Sequence, residues 1–252
     1  MQLPISAGQT GQAVQTLSTL LHAAGYLQAS QSSFDRDVNL AVRAFQTQHV
    51  DERGQPLVVD GVVGPLTWWA MTHPKQNPVP DPDLHDFSSI LPKGGSNRGR
   101  AALREALDEM SAGAGESGAN NQGPDVKKYL NGLADPPGDW CAGFVSWCFD
   151  QHAAGSPFGY TVGARDLYRR CRDRGWAYDI QKQRAEPGDI VAWTRPGPKG
   201  WEGHVGIVLQ QTDGGYLHTI EGNRGAFPAK VNRFSYVLSR MERLLGFARV
   251  SP

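Results

Sequence analysis

The sequence predicts an α+β protein in two parts: a small three-helix bundle, then a proline-rich linker, then a larger domain of helices packed on an antiparallel sheet. Three observations predict it. Apolar residues recur at helical spacing through residue 71, and four prolines follow between 74 and 82. Beyond residue 186 the apolar period shortens to two, with turn residues between the runs, and helices followed by strands of this kind belong to the α+β class.

The 252 residues suffice for two domains with their own cores. Lys+Arg and Asp+Glu are balanced at 25 each, so neither nucleic acid nor an anionic membrane is the expected partner. No apolar run is long enough to insert in a membrane, and the start of the chain lacks the basic and apolar segments of a secretory signal. The chain carries no His-x-x-x-His or comparable ligand pair, and no metal or cofactor is expected.

In the first domain, expected over 1–75, Val14, Leu17, Leu20, Leu21 and Ala24 form one helical stripe, with Gly25 as its stop. Phe34-Asp35 introduces a second stripe of Val38, Ala41, Val42, Phe45 and His49. Pro65 suits the first turn of a third helix containing Trp68 and Trp69. One of these indoles is expected in the core and the other on the surface. Residues 76–97 read as the linker and 98–252 as the second domain. There, helices are expected at 101–110, at 125–133, from Cys141 and around Tyr168 and Cys171. Strands follow at 190–193, 204–209, 216–223, 230–234 and 244–250.

The second domain is organised around Cys141. Cys141, Phe144, Val145 and Cys148 share one helical face, and Asp139 is a candidate N-cap that places Cys141 in the first turn. Unpaired N–H groups and the helix dipole stabilise a thiolate there. The plainer reading is a small apolar residue in a core. Cys148 and Cys171 are expected as two ordinary buried thiols rather than a disulfide.

Partners for a nucleophilic thiol lie downstream. Asp213-Gly214 is a strong two-residue turn signal. Paired outward from it, His204 faces Asn223 and Gly206 faces Glu221, all on one side of the hairpin, with His218 on the other. Gly206 leaves room for a polar group to reach the imidazole. Each of these residues alone is an ordinary strand-end polar group. Together with the thiol they form the Cys–His–polar set used for acyl transfer.

Two family resemblances follow. Phe34-Asp35, Ala41-Val42-x-x-Phe45-Gln46, Asp60-Gly61-x-x-Gly64 and Thr67-Trp68 resemble the three-helix peptidoglycan-binding domain of cell-wall hydrolases. The run from Trp140 to Trp147, with Pro187-Gly188-Asp189, Gly203-His204-x-Gly206 and Glu221-x-Asn223, resembles a CHAP domain, a papain-like family of peptidoglycan amidases and endopeptidases. The resemblance implies Cys141 as nucleophile, His204 as general base and acid, and Glu221 and Asn223 as the polar groups holding the imidazole. Some members carry Gln before the nucleophile as an oxyanion donor. Here Trp140 stands in that place, which turns attention to the backbone N–H groups of the helix start. Substrate contacts are expected at Trp140, Trp201, Asn121, Trp68 and Asp60.

The expected activity is therefore cysteine-dependent cleavage of an amide bond in the peptide stem of bacterial peptidoglycan, with the first domain supplying localisation alone. A zinc-dependent wall peptidase and a non-catalytic wall-binding protein are the alternatives. The chain is expected as a monomer, made in the cytoplasm and acting in the periplasm or wall of a target cell. It would serve as a type VI secretion effector, with an immunity protein as partner, or as a phage endolysin.

Overall fold

The helical stripes of the first domain close a small core. The structure, a computed structural model, describes residues 3–52, 57–74, 91–152, 155–195, 202–225 and 227–251, with only the backbone of 47 and 48. Helices α1 (Gln12–Ala23), α2 (Arg36–Gln48) and α3 (Pro65–Thr72) bury Val14, Leu17, Leu21, Val38, Val42 and Phe45 against one another. Gly25 ends α1 in the left-handed conformation, and Tyr26 N–H returns to the Leu21 carbonyl. Asp35 caps α2 by accepting from the N–H groups of Asp37 and Val38 at 2.9 and 3.0 Å. Pro65 takes the first position of α3, as expected. Most of the linker, residues 75–90, lies outside the described residues.

The second domain packs helices α4 (Asn97–Ser111), α5 (Pro124–Leu130), α6 (Cys141–Asp150) and α7 (Ala164–Asp173) beside a six-stranded antiparallel sheet. The strands are β1 (Ala177–Tyr178), β2 (Ile190–Thr194), β3 (Gly203–Gln211), β4 (Tyr216–Glu221), β5 (Asn232–Val237) and β6 (Leu244–Ala248), in the order β1-β6-β2-β3-β4-β5. Phe144 and Val145 of α6 pack with Val205, Ile207 and Ile220 on one face of the sheet. On the other, Val191, Trp193, Val208, Leu217, Tyr236 and Phe247 form a second cluster. Burial on both faces accounts for the nearly unbroken apolar run of β2. Each such side chain contributes about 1.5–3 kcal/mol relative to exposure. β5 lies two to three residues later than expected, and α5 stops at Leu130 because Asn131 takes the left-handed conformation.

The β3–β4 hairpin departs from the expected turn and then recovers. The Thr212 N–H donates to the Tyr216 carbonyl at 2.9 Å, so the loop holds three residues, Asp213 to Gly215. Near the turn Gln210 pairs with His218 and Gln211 with Leu217, one residue off the expected register. An extra residue in β3, between Val208 and Gln210, corrects the offset, and Val208 pairs with Thr219 and Ile207 with Ile220 as expected. The bulge therefore restores the expected facing of Gly206 and Glu221: a Cβ on Gly206 would stand 2.6 Å from Glu221 Cγ.

Pro187-Gly188-Asp189 is a structural corner. The Asp189 carboxylate accepts from the Arg249 guanidinium at 2.8 Å and from the Tyr178 hydroxyl at 2.5 Å, tying together the strands on this side of the sheet.

The two domains touch. The Arg195 guanidinium, just beyond β2, donates to the Gln46 carbonyl in the last turn of α2 at 3.0 Å. Phe227 of the second domain packs on the first domain's core, with its ring 6.5 Å from that of Tyr26. A Cβ on Gly25 would meet that ring at 2.4 Å, so the absence of a side chain permits the approach. This docking goes beyond the tether expected from sequence.

Candidate active site

Cys141 is the first residue of α6, held against the sheet end by aromatic packing. Trp140 lies over Gly222, where a Cβ would meet the indole at 2.3 Å, and it stacks on Tyr129 with ring centroids 5.4 Å apart. The glycine between Glu221 and Asn223 thus lets the helix start reach the strand that carries the polar groups. Two expectations for this start are corrected. Asp139 is not the N-cap: Trp140 holds that position with no capping side chain, and the Asp139 carboxylate accepts from Asn121 and Asn223 amides at 3.4 and 3.3 Å. Trp140 is not available to substrate either. Its ring is fully buried, and its Nε1 donates to Glu116 Oε1 at 3.3 Å.

The imidazole of His204 is set from β4. Its Nε2 lies 2.6 Å from Glu221 Oε2. A carboxylate only accepts, so Nε2 carries the proton and Nδ1 keeps its lone pair. That Nδ1 is buried and has no hydrogen-bond partner among the described residues. Glu221 also accepts from Arg224 Nη1 at 2.8 Å, Thr219 Oγ1 at 2.5 Å and Tyr236 Oη at 2.8 Å. It is therefore an anchor point that cannot swing away from the ring. His218 points to the opposite face and bonds Ser235 Oγ at 2.9 Å.

Asn223 plays a different part from the expected one. It adopts the left-handed conformation with φ 57°, and its amide reaches Asp139, not His204. Among the described residues Glu221 alone hydrogen-bonds the ring, because Asn223 lies past the end of β4, where the chain has turned.

Burial dominates the electrostatics of the site. It pushes the Cys141 thiol up to about 12, helped by the neighbouring Asp139 charge and opposed by Arg195 and the N–H groups of Val205 and Ala142. The Val205 N–H borders the thiol, which places Cys141 at the start of β3, beside the residue that follows His204 in the chain. Burial lowers His204 to about 4, against the opposing pull of Glu221. Burial would raise the Glu221 carboxyl, but Arg224 and His204 overcome it and keep the group ionised. The Cys141 and His204 shifts both favour the uncharged forms, against the thiolate that the helix position alone favours.

The other sequence candidates are dispersed. Asn121, in the left-handed conformation, donates its N–H to Glu116 Oε1 at 3.0 Å and borders the thiol through Asp139. Asp60 is a loop brace, accepting from the Gln46 amide at 2.9 Å and Val62 N–H at 2.8 Å. Trp68 and Trp69 are both half-buried against the first domain's core, so neither is a fully exposed platform. Trp201 lies outside the described residues. Cys148 and Cys171 are free buried thiols. Among the described residues no group of three or more His, Cys, Asp or Glu side chains converges as a metal site.

Sequence reasoning missed Arg195, Arg224 and Glu116, all at most 2 % exposed. Arginine beside a strand end is ordinarily a solvated rim residue, and nothing local marks these two as buried. Glu116 joins the glycine-rich loop to residue 229, accepting from Ala229 N–H at 2.9 Å.

With this geometry in hand, comparison with known families gives two matches, the CHAP domain over residues 133–223 and the peptidoglycan binding domain over residues 10–71. The chain thus matches a CHAP domain in its second part and a peptidoglycan binding domain in its first. The CHAP match takes in α6, β2, β3 and β4, and with them Cys141, His204, Glu221 and Asn223. α4, β5 and β6 lie outside the matched span but complete the same sheet and core. The two domains support a hydrolase acting on peptidoglycan, with that polymer as substrate or partner. No curated protein and no solved structure matches the chain.

Proposed function

We propose that this protein is a cysteine-dependent peptidoglycan amidase or endopeptidase that cuts an amide bond in the peptide stem. The observation that carries this reading is His204, protonated at Nε2 by its pairing with Glu221 and left at Nδ1 with a free lone pair, on the strand start whose Val205 N–H borders the helix-start thiol. Nδ1 takes the Cys141 proton as sulfur attacks the amide carbonyl. Because the thiol is raised and the imidazole lowered, proton transfer accompanies attack instead of preceding it. The oxyanion is received by first-turn N–H groups of α6, which no side chain caps. His204 then protonates the departing amine, and water, deprotonated at the same Nδ1, releases the acyl group. Asn121, Asn223 and Asp139 hold the helix start in position.

Cys141→Ala should abolish release of soluble fragments from purified sacculi while sacculus binding persists, and Cys148→Ala should keep activity. Substantial turnover by Cys141→Ala would overturn the mechanism. Mass spectrometry of the fragments names the bond cut. For delivery we propose action in the periplasm or wall of a target cell. A neighbouring immunity gene would mark a type VI effector, and a neighbouring holin gene a phage endolysin.

A further inference from the structure

One buried guanidinium at this site makes no ion pair among the described residues. Arg195 follows β2, whose Trp193 pairs with His204 and Thr194 with Gly203, so its backbone stands at the same sheet end as the imidazole. Its N–H bonds the Glu202 carbonyl at 3.0 Å, which extends the β2–β3 ladder to this residue. The residue is fully buried, yet its guanidinium makes one hydrogen bond, from Nη1 to the Gln46 carbonyl at 3.0 Å. Nε and Nη2 have no partner among the described residues. Those two nitrogens form one edge of the guanidinium plane, the fork that receives a carboxylate through two parallel hydrogen bonds.

The surroundings favour an anion. Arg224 lies behind, its charge met by Glu221 at 2.8 Å, and its own Nε and Nη2 are also without partners. Of the carboxyls near Arg195, Asp139 is pushed toward its neutral form by burial, and Glu202 is buried with its Oε2 unpartnered among the described residues. A buried guanidinium left this way is costly unless an acceptor arrives to complete it. The acceptor it now has is a carbonyl at the C-terminal end of α2, the negative end of that helix's dipole.

We propose that the free edge of Arg195 is a carboxylate-binding subsite beside the catalytic thiol, so that the enzyme selects an amide bond flanked by a free carboxylate of the peptide stem. This rests on the reading of the chain as a peptide-cutting peptidoglycan hydrolase and adds a rule for which bond it takes. The Arg195 guanidinium and the Cys141 thiol lie close enough to interact electrostatically.

The test uses soluble muropeptides released from sacculi, and the same muropeptides with their carboxyl groups converted to carboxamides by ammonia and a carbodiimide. Full-length enzyme is assayed on both. The wild type should lose about 10- to 100-fold in kcat/KM on the amidated set, mostly through KM, the usual range for removing a charged hydrogen-bond partner. Arg195→Gln should lose a similar factor on the untreated set and discriminate little between the two. Arg195→Lys, which keeps charge but not the fork, should fall between. Equal cleavage of both sets by the wild type would overturn the subsite and leave the hydrolase reading intact. An Arg195→Gln enzyme that keeps the wild-type preference would do the same. Cleavage of neither set would overturn the hydrolase reading and the subsite together. If Arg195→Gln fails to fold, the wild-type comparison still decides.

Discussion

Replacing Gly206 by alanine should disable the imidazole without touching it. The added methyl would lie 2.6 Å from Glu221 Cγ and 3.3 Å from its Cδ. Carbon–carbon contact begins near ~3.5 Å, so Cγ must retreat by roughly 0.9 Å. Glu221 has no slack for this, being bound by His204, Arg224, Thr219 and Tyr236 at 2.5–2.8 Å. A retreat of that size lengthens the 2.6 Å bond to His204 toward the limit of a hydrogen bond and frees the ring to turn. Misplacement on this scale costs about 10²-fold in rate, equivalent to about 2.7 kcal/mol of barrier. Overpacking should also lower stability by about 1–3 kcal/mol. Initial rates on soluble muropeptides and thermal melting read the two effects separately. Gly64→Ala, where a Cβ meets nothing within 4 Å, is the control for rate and should leave it unchanged. A Gly206→Ala enzyme with wild-type rate would refute the argument that Glu221 positions His204 through this gap.

Three further outcomes follow from the same site. Glu221→Ala leaves Arg224 as an unpaired buried charge and should lower stability by about 3–5 kcal/mol in denaturant titration, more than Asn223→Ala, which strands no charge. Stability should fall as pH drops below about 6.5, because His204 and His49 are held neutral in the fold, near 4 and 3, while the unfolded chain takes up protons. His204 alone accounts for on the order of 3 kcal/mol by pH 4, and His49→Gln should flatten the melting-temperature profile. Phe227→Ala removes about 1.5–3 kcal/mol of packing between the domains. Because Cys141 is 3 % exposed and His204 0 %, opening that contact should raise the radius of gyration and the rate on small soluble substrates. An unchanged radius and rate would show that docking does not limit access.

What could be read along the chain was whatever depends on near neighbours in it. The three helices of the first domain, their cap at Asp35 and stop at Gly25, and the helix start at Cys141 are set by local spacing and turn chemistry. The facing of Gly206 and Glu221 was also legible, although by two cancelling departures, a three-residue turn and a one-residue bulge in β3. The two departures offset each other because β4 must keep Ile220 toward the helices, and a slip of one residue would turn it outward. Tertiary structure decided the rest. Asp139 is drawn to Asn121 and Asn223, and Trp140 is buried under Gly222, because α5, α6 and the end of β4 converge there. The charge states of Cys141 and His204 follow from burial, which depends on every element packed around them and on no spacing in the sequence. Arg195 had no local sign of function, since its role arises only where the end of β2 meets the last turn of a helix some 149 residues earlier.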